Sequence, residues 1–142
     1  MLKIVIDANL WVSFLIGKRL KNLDELCFDE KVVVISSPKI IEEFIDVSSR
    51  ESLRKYVNHE KIPEVLKILE TRCANDPIEY SVNSSLRDPD DLYLLALSAE
   101  VGANFLLTGD KDLLTLGRYE QTEIITFSNF MSLHYGQQES QP

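Results

Sequence analysis

Short apolar runs alternate with longer amphipathic stretches along this chain of 142 residues. The runs at 2–6, 31–35 and 104–108 are nearly continuous and consist mainly of β-branched and large aliphatic residues. Such runs are typical of strands that are buried on both faces of a parallel sheet. A run at 122–126 predicts a further strand, and a brief one is expected at 78–81.

The stretches between these runs have helical periodicity and residues that favour helix ends. Helices are predicted at 10–16, 21–29, 38–47, 51–57, 63–73, 88–101 and 128–133. Ser37 offers an N-cap to the third helix and Pro38 suits its first turn, while Ser128 is expected to cap the last. Asp88 and Gly102 bracket the sixth helix, which is apolar nearly all round and should be central to the fold.

This order of strands and helices predicts a three-layer α/β/α sandwich with a mostly parallel central sheet. The chain has no internal repeat and no linker-like segment, so 1–135 is expected to form a single domain. The tail at 136–142 is polar and is expected to be disordered.

Acidic side chains stand where such a fold would bring them together. Asp7 directly follows the first strand, and Asp110 follows the strand predicted at 104–108. Glu43 and Asp91 lie near the starts of two predicted helices. In a parallel sheet, these positions share one edge, where ligands bind. Carboxylates gathered there repel one another unless cations neutralise them, and oxygen ligands suit Mg²⁺ or Mn²⁺. The pattern indicates metal-assisted chemistry on a phosphate ester.

Three of these acids also have a purely structural interpretation. Asp7 or Asn9 can cap the helix that follows the first strand, and an aspartate after glycine, such as Asp110, is common in turns. Asp91 is third in a helix that Asp88 can cap, and a negative charge there complements the helix dipole. A carboxylate can serve both purposes, so the argument for function rests on the shared edge.

Spacing leaves open which glutamate of the helix at 38–47 belongs to the site. Glu43 lies at one margin of the apolar arc of this helix, and Glu42 lies near the other margin. An exposed glutamate on a helix usually only solvates one face. Periodicity therefore does not choose between the two.

Charge and cysteine content narrow the class of protein. The chain has 23 acidic and 15 basic residues, for a net charge of −8. This argues against a protein that binds nucleic acid by charge alone, but not against an enzyme whose metal ions supply positive charge. Cys27 and Cys73 have no metal-like spacing and are expected to be free, partly buried thiols in a reducing cytosol. Neither a membrane-spanning run nor a signal-peptide pattern is found, so a cytoplasmic location is expected.

Four stretches, taken in order, resemble the PIN-domain ribonucleases, specifically the toxin-like PIN proteins of prokaryotic toxin–antitoxin systems. They are Ile4-Val5-Ile6-Asp7-Ala8-Asn9, Ser37-Pro38-Lys39-Ile40-Ile41-Glu42-Glu43-Phe44, Arg87-Asp88-Pro89-Asp90-Asp91-Leu92-Tyr93-Leu94-Leu95-Ala96-Leu97 and Leu107-Thr108-Gly109-Asp110-Lys111-Asp112-Leu113-Leu114. Ile124-Ile125-Thr126 with Phe130 is similar to the usual ending of the family, so the likeness covers most of 1–131. No single motif is specific, but the ordered set is.

The resemblance implies which side chains form the site. The catalytic, metal-binding acids of the family match Asp7, Glu43, Asp91 and Asp110. Glu43 is preferred to Glu42 because the acid of the family directly precedes an apolar residue. The implied auxiliary residues are Asn9, Asp88, Thr108 and Asp112. Ala8 is a departure, because threonine or serine is common there, but it removes no ligand.

The resemblance also implies the reaction and the partners. It implies a Mg²⁺- or Mn²⁺-dependent endoribonuclease that hydrolyses RNA phosphodiesters, acts as the toxin of a toxin–antitoxin pair, forms a homodimer and binds a small antitoxin protein. The basic side chains with a weak case for substrate binding are Lys18, Arg19, Arg87 and Lys111. His59 and His134 are interpreted as surface residues and Trp11 as a core residue, so acid–base catalysis by histidine is not expected.

Two other classes of protein remain to be weighed. A phosphoacceptor signalling domain also gathers acids and Mg²⁺ at strand ends, but it needs a pair of acids after the first strand. Here Ala8 and Asn9 follow Asp7, which disfavours that class. The other alternative is a non-catalytic PIN-like module that binds metal or a protein partner. Intact acids at all four matched positions count against it.

Overall fold

The computed structural model describes residues 1–17, 20–75 and 89–136, and its framework is a six-stranded sheet. The strands are β1 (Leu2–Ile6), β2 (Val32–Ser36), β3 (Ala74–Asn75), β4 (Phe105–Leu107), β5 (Arg118–Tyr119) and β6 (Thr122–Ile125). They are arranged in the order β3-β2-β1-β4-β6-β5, and each neighbouring pair is parallel except β5 and β6. The predicted α/β/α sandwich with a mostly parallel central sheet is confirmed.

The helices alternate with these strands. They are α1 (Ala8–Ser13), α2 (Leu20–Cys27), α3 (Pro38–Ser48), α4 (Ile62–Thr71), α5 (Pro89–Val101), α6 (Lys111–Leu116) and α7 (Phe127–His134). Two 3₁₀ turns, Glu51–Leu53 and His59–Lys61, lie between α3 and α4. No helix in the described parts of the chain is long and apolar enough to cross a membrane.

Strand β1 lies inside the sheet and fixes where a ligand can bind. It pairs with β2, with Val5 opposite Ile35, and with β4, with Ile6 opposite Leu107. Ile4, Val5 and Ile6 are fully buried, as expected when both faces of a strand are covered. Strands β2 and β3 lie on one side of β1, and strands β4, β6 and β5 lie on the other side. The strand order therefore reverses between β1 and β4, and such a switch point opens a crevice at the carboxyl ends of the strands.

Helix α5 is the central helix that the apolar pattern predicts. It packs against β1 and β4, and Leu95 and Leu97 are fully buried. The buried Ser98 hydroxyl donates to the Leu94 carbonyl at 2.8 Å, so its polar group is satisfied. Gly102 ends the helix with a φ of +68°, a conformation that glycine adopts without steric cost.

Some of the predicted helix ends are confirmed, and others are wrong. Ser37 caps α3 by accepting from the Ile40 N–H at 3.2 Å. Thr126, rather than Ser128, caps α7 and accepts from the Asn129 N–H at 3.1 Å. The helix predicted at 51–57 is only a 3₁₀ turn at Glu51–Leu53. Other predictions lie outside the described residues, namely the strand at 78–81 and residues 137–142 of the tail.

Helix α6 and strand β5 are absent from the sequence-based prediction. Asp110 caps α6, and Gly117 ends it with a φ of +75°. Strand β5 follows at once and forms an antiparallel hairpin with β6 through a tight turn at Glu120 and Gln121. A six-residue helix is too short to show a clear apolar period, so the pattern of apolar residues does not predict it.

Candidate functional site

The candidate site lies at the switch point, where β1 and β4 end side by side. The Asp7 N–H donates to the Leu107 carbonyl at 3.0 Å, so the pairing continues one residue beyond β1. Thr108 directly follows β4 and lies beside Asp7. Gly109 and Asp110 come next in the chain. The sheet therefore brings the two predicted strand-end acids to one edge, as the sequence pattern indicates.

Asp7 is 6% exposed, and its carboxylate is held by two donors. Its Oδ1 accepts from the Asn9 N–H at 3.0 Å, which makes Asp7, rather than Asn9, the N-cap of α1. Its Oδ2 accepts from the Thr108 hydroxyl at 2.7 Å. These bonds stabilise a buried negative charge and fix the orientation of the carboxylate.

Asp110 is connected to Asp7 through the same threonine. The buried Thr108 Oγ1 accepts from the Asp110 N–H at 3.1 Å while it donates to Asp7. The Asp110 Oδ1 in turn accepts from the N–H groups of Asp112 and Leu113, at 2.9 and 3.1 Å. Asp110 is half-buried, and its Oδ2 takes no part in these capping bonds.

Three carboxylates converge at this edge. Oxygen atoms of Asp91, Asp110 and Asp112 lie within 4.8 Å of one another. Asp91 is buried near the start of α5, Asp110 is half-buried and Asp112 is exposed. Like charges this close are unfavourable unless a cation lies among them. Three hard oxygen donors at this spacing fit a divalent ion such as Mg²⁺ or Mn²⁺.

Asp112 is one of the three clustered carboxylates, whereas the sequence-based prediction gives it an auxiliary role. It converges with Asp91 and Asp110, whereas Asp7 is linked to Asp110 through Thr108. Helix α6 produces this arrangement because it places Asp112 in its first turn, directly after the cap. The sequence does contain signals for this short helix. Asp110 can cap it, Asp112 follows in the first turn, and Gly117 can end it.

Glu43 lies in the middle of α3. It is half-buried, whereas Glu42 is exposed, and both line a cleft of about 380 Å³ with Lys39. The Lys39 ammonium lies 5.5 Å from the centre of the Tyr93 ring on α5. Because residues four apart share one helix face, the face that carries Lys39 and Glu43 is directed toward α5, where Asp91 lies. The assignment of Glu43 to the site stays a prediction.

A second cleft, of about 400 Å³, opens directly on the strand-end acids. Its walls are formed by Asp7, Asn9, Leu10, Ser13, Gly109 and Asp110. Asn9 is exposed, and Ser13 lies one helical turn further along α1. The sequence-based prediction of the site does not include Ser13, although its spacing of four from Asn9 puts both on one helix face.

The remaining predicted site residues are placed as follows. Lys111 is exposed at the start of α6, next to Asp110. The positions that lie outside the described residues are Asp88, Lys18, Arg19 and Arg87. His59 and His134 are exposed and Trp11 is fully buried, which confirms their predicted environments. Neither histidine lines the cleft at the strand ends.

Comparison with known proteins agrees with this geometry. A family model described as the PIN domain matches residues 3–112, a span that contains β1, α3 and the acids at the ends of β1 and β4. The chain is also 37% identical, over 121 residues, to an uncharacterized protein of Methanocaldococcus jannaschii. That alignment covers 81% of this chain and 75% of the relative.

Proposed function

The chain belongs to the PIN-domain family, which gives it a nuclease-type fold, and we propose that it is a metal-dependent endoribonuclease. The observation that carries the proposal is the convergence of the Asp91, Asp110 and Asp112 oxygens within 4.8 Å. A protein that needed these acids only to begin helices would not need to bring together carboxylates from α5 and α6. The proposed substrate is RNA, and the proposed reaction is hydrolysis of a phosphodiester.

The proposed cofactor is Mg²⁺ or Mn²⁺, held by the acids of the switch-point edge. The residues assigned to it are Asp7, Glu43, Asp91 and Asp110, and the geometry supports adding Asp112. When bound, such an ion lowers the pKa of a coordinated water and stabilises charge on the leaving oxygen. The donor set fits this purpose because it contains only carboxylate oxygens.

The surrounding residues hold these acids and shape the place for the substrate. Thr108 and the Asn9 N–H orient the Asp7 carboxylate, and capping of α6 orients Asp110. The polar side chains of Asn9 and Ser13 line the adjacent cleft and can hydrogen bond to phosphate oxygens or water. These uncharged groups add no further repulsion against an anionic substrate.

The direct test is cleavage of labelled single-stranded RNA by the purified chain. We expect cleavage with Mg²⁺ or Mn²⁺, none with a chelator, and near-background cleavage by Asp110→Asn. Asparagine caps helices as well as aspartate does, so this change should leave α6 intact. Asp24→Asn is the matched control, because Asp24 lies on α2 and lines neither of the two clefts.

Two results would contradict the proposal. Cleavage that survives both the chelator and Asp110→Asn would place the reaction elsewhere. A protein that binds Mn²⁺ through these acids but cleaves no RNA would favour a non-catalytic PIN-like module. Thermal shifts with Mn²⁺ distinguish that module from a protein with no metal site.

The proposal also covers the biological role, the partners and the location. The chain would act as the toxin of a toxin–antitoxin pair, bind a small antitoxin protein, form a homodimer and lie in the cytoplasm. The likeness to toxin-like PIN proteins supports the first three. Two free cysteines, typical of a reducing compartment, support the last. Light scattering of the purified chain tests the dimer, and growth arrest on induced expression tests toxicity.

A further inference from the structure

Cys27 and Cys73 lie side by side although they are distant in the sequence. Cys27 ends α2, and Cys73 lies between α4 and β3. Both are free, half-buried and packed against the core. Their sequence neighbours also meet, because the Arg72 guanidinium lies over the Phe28 ring, 4.2 Å from its centre. The Cys73 thiol is hydrogen-bonded to Cys27.

The environment of the pair assigns different roles to the two thiols. The hydrogen bond to Cys27, together with burial, raises the pKa of the Cys73 thiol far above its usual range. Cys73 therefore stays protonated at neutral pH. Thiolates, rather than thiols, attack oxidants.

The carboxylate edge makes no use of these thiols. Cys27 precedes β2 and Cys73 directly precedes β3, whereas the acids follow the ends of β1 and β4. The pair is thus a separate feature of the fold, and its chemistry can be tested independently of nuclease activity.

We propose that Cys27 and Cys73 form a peroxide-sensitive dithiol that closes to a disulfide. The Cys27 thiolate attacks one oxygen of hydrogen peroxide, which breaks the O–O bond and yields Cys27 sulfenic acid and hydroxide. The Cys73 sulfur then displaces the sulfenic oxygen, which leaves as water with the Cys73 proton. The proton released when Cys27 ionised joins the hydroxide. In sum, two thiols and one peroxide give one disulfide and two waters.

Closure would tie the end of α2 to the start of β3. The resulting loop contains β2 and all of α3, and therefore Ser37 and Glu43. Cross-linking a loop of this length reduces the entropy of the unfolded chain. The expected effect is an upward shift of the melting temperature by several degrees, which dithiothreitol reverses.

The test uses the reduced full chain, treated with hydrogen peroxide at neutral pH. Both thiols should disappear together in a colorimetric thiol assay, and the intact mass should fall by two hydrogen atoms. Digestion without reductant should then yield a peptide pair joined through Cys27 and Cys73. In Cys73→Ser, Cys27 should gain oxygen atoms instead, and in neither serine variant should the mass fall by two hydrogen atoms.

Three results would overturn the proposal. They are survival of both thiols at a peroxide dose that oxidises free glutathione, a gain of oxygen atoms by the wild-type chain without a cross-link, and a cross-link that joins two chains. Each is read from the wild-type protein, so the conclusion does not depend on whether the serine variants fold.

Discussion

The Thr108 hydroxyl donates to Oδ2 of Asp7 at 2.7 Å, although the two residues are 101 positions apart in the chain. The same hydroxyl oxygen accepts from the Asp110 N–H at 3.1 Å. One buried hydroxyl thus joins the ends of β1 and β4 and sets Asp7 relative to Asp110. The geometry of the acidic edge therefore depends on a residue that carries no charge.

Thr108→Val removes this link and keeps the size and branching of the side chain. We expect the free energy of unfolding to fall by about 1–3 kcal/mol, because the buried Asp7 carboxylate loses one of its hydrogen-bond donors. RNA cleavage should fall roughly 10- to 100-fold, the usual cost of losing the partner of a metal ligand. Urea denaturation and initial cleavage rates measure the two effects.

Thr108→Ser is the control, because it keeps the hydroxyl and should retain most of the activity. Equal losses in both variants would instead show that packing of the methyl group is responsible.

Asp7→Asn should reduce RNA cleavage to near background and leave the fold intact. Asparagine is an equally good N-cap, and its carbonyl can still accept from the Asn9 N–H. Removing one charge also lessens repulsion among the acids. Circular dichroism and thermal melting check the fold, and cleavage rates check the activity. Substantial residual cleavage with unchanged Mn²⁺ affinity would remove Asp7 from the proposed site.

The sheet and two of its acids could be predicted from the sequence because the relevant signals are local. Short apolar runs mark β1 and β4, and parallel packing then places Asp7 and Asp110 at one edge without any knowledge of side-chain contacts. The Ser37 cap and the Gly102 stop are also signals carried by a few neighbouring residues.

The convergence of Asp112 with Asp91 could not be predicted in the same way. It depends on α6, whose six residues are too few to establish a helical period. It depends as well on how α5 packs against β1 and β4, which is a tertiary relationship. The proximity of Cys27 and Cys73 is of the same kind, because two elements that are distant in the chain must dock before it exists. Spacing along one element carries no information about distances between elements.

Mn²⁺ or Mg²⁺ should raise the melting temperature at neutral pH. A ligand that binds only the folded chain stabilises it by mass action, by about 2.7 kcal/mol at a hundred times its dissociation constant. The gain should shrink as the pH falls, because protons compete for the carboxylates. Asp112→Asn should lessen the shift if Asp112 is a ligand, and Asp24→Asn should not. A melting temperature indifferent to millimolar Mn²⁺ would argue against a metal site at these acids.

The bond between Tyr135 and Asp29 should give the fold a pH-dependent contribution. The Tyr135 hydroxyl donates to Oδ2 of Asp29 at 2.6 Å. This bond, followed by one from the Lys31 N–H, lowers the pKa of Asp29 below its ordinary value of 3.8. Because the folded pKa is depressed, the stabilisation is present above 3.8 and is lost as the pH falls through the folded value. Burial, followed by the bond to Asp29, raises the pKa of Tyr135 above 10.0, so its contribution is present below 10.0 and is lost at higher pH.

Tyr135→Phe should therefore lower the melting temperature at neutral pH and converge with the wild-type protein in acid. The loss should be about 1 kcal/mol or less, because solvent partly screens the pair. Melting curves of both proteins across the pH range provide the measurement. A deficit that stayed constant into strong acid would show that the phenol contributes by packing, rather than through its bond to Asp29.

Glu43→Gln should impair Mn²⁺ binding and RNA cleavage, whereas Glu42→Gln should leave both near the wild-type level. The two changes remove the same charge from adjacent positions of α3 and alter helix propensity about equally little, so each is the control for the other. The expectation follows from Lys39, whose ammonium lies 5.5 Å from the Tyr93 ring and so orients its face of α3 toward α5. Glu43 shares that face and is half-buried, whereas Glu42 is exposed. Calorimetric titration of Mn²⁺ and a cleavage assay on both variants decide the matter. Loss with Glu42→Gln alone would mean that the other side of α3 meets the site, and loss with neither would restrict the site to the aspartates.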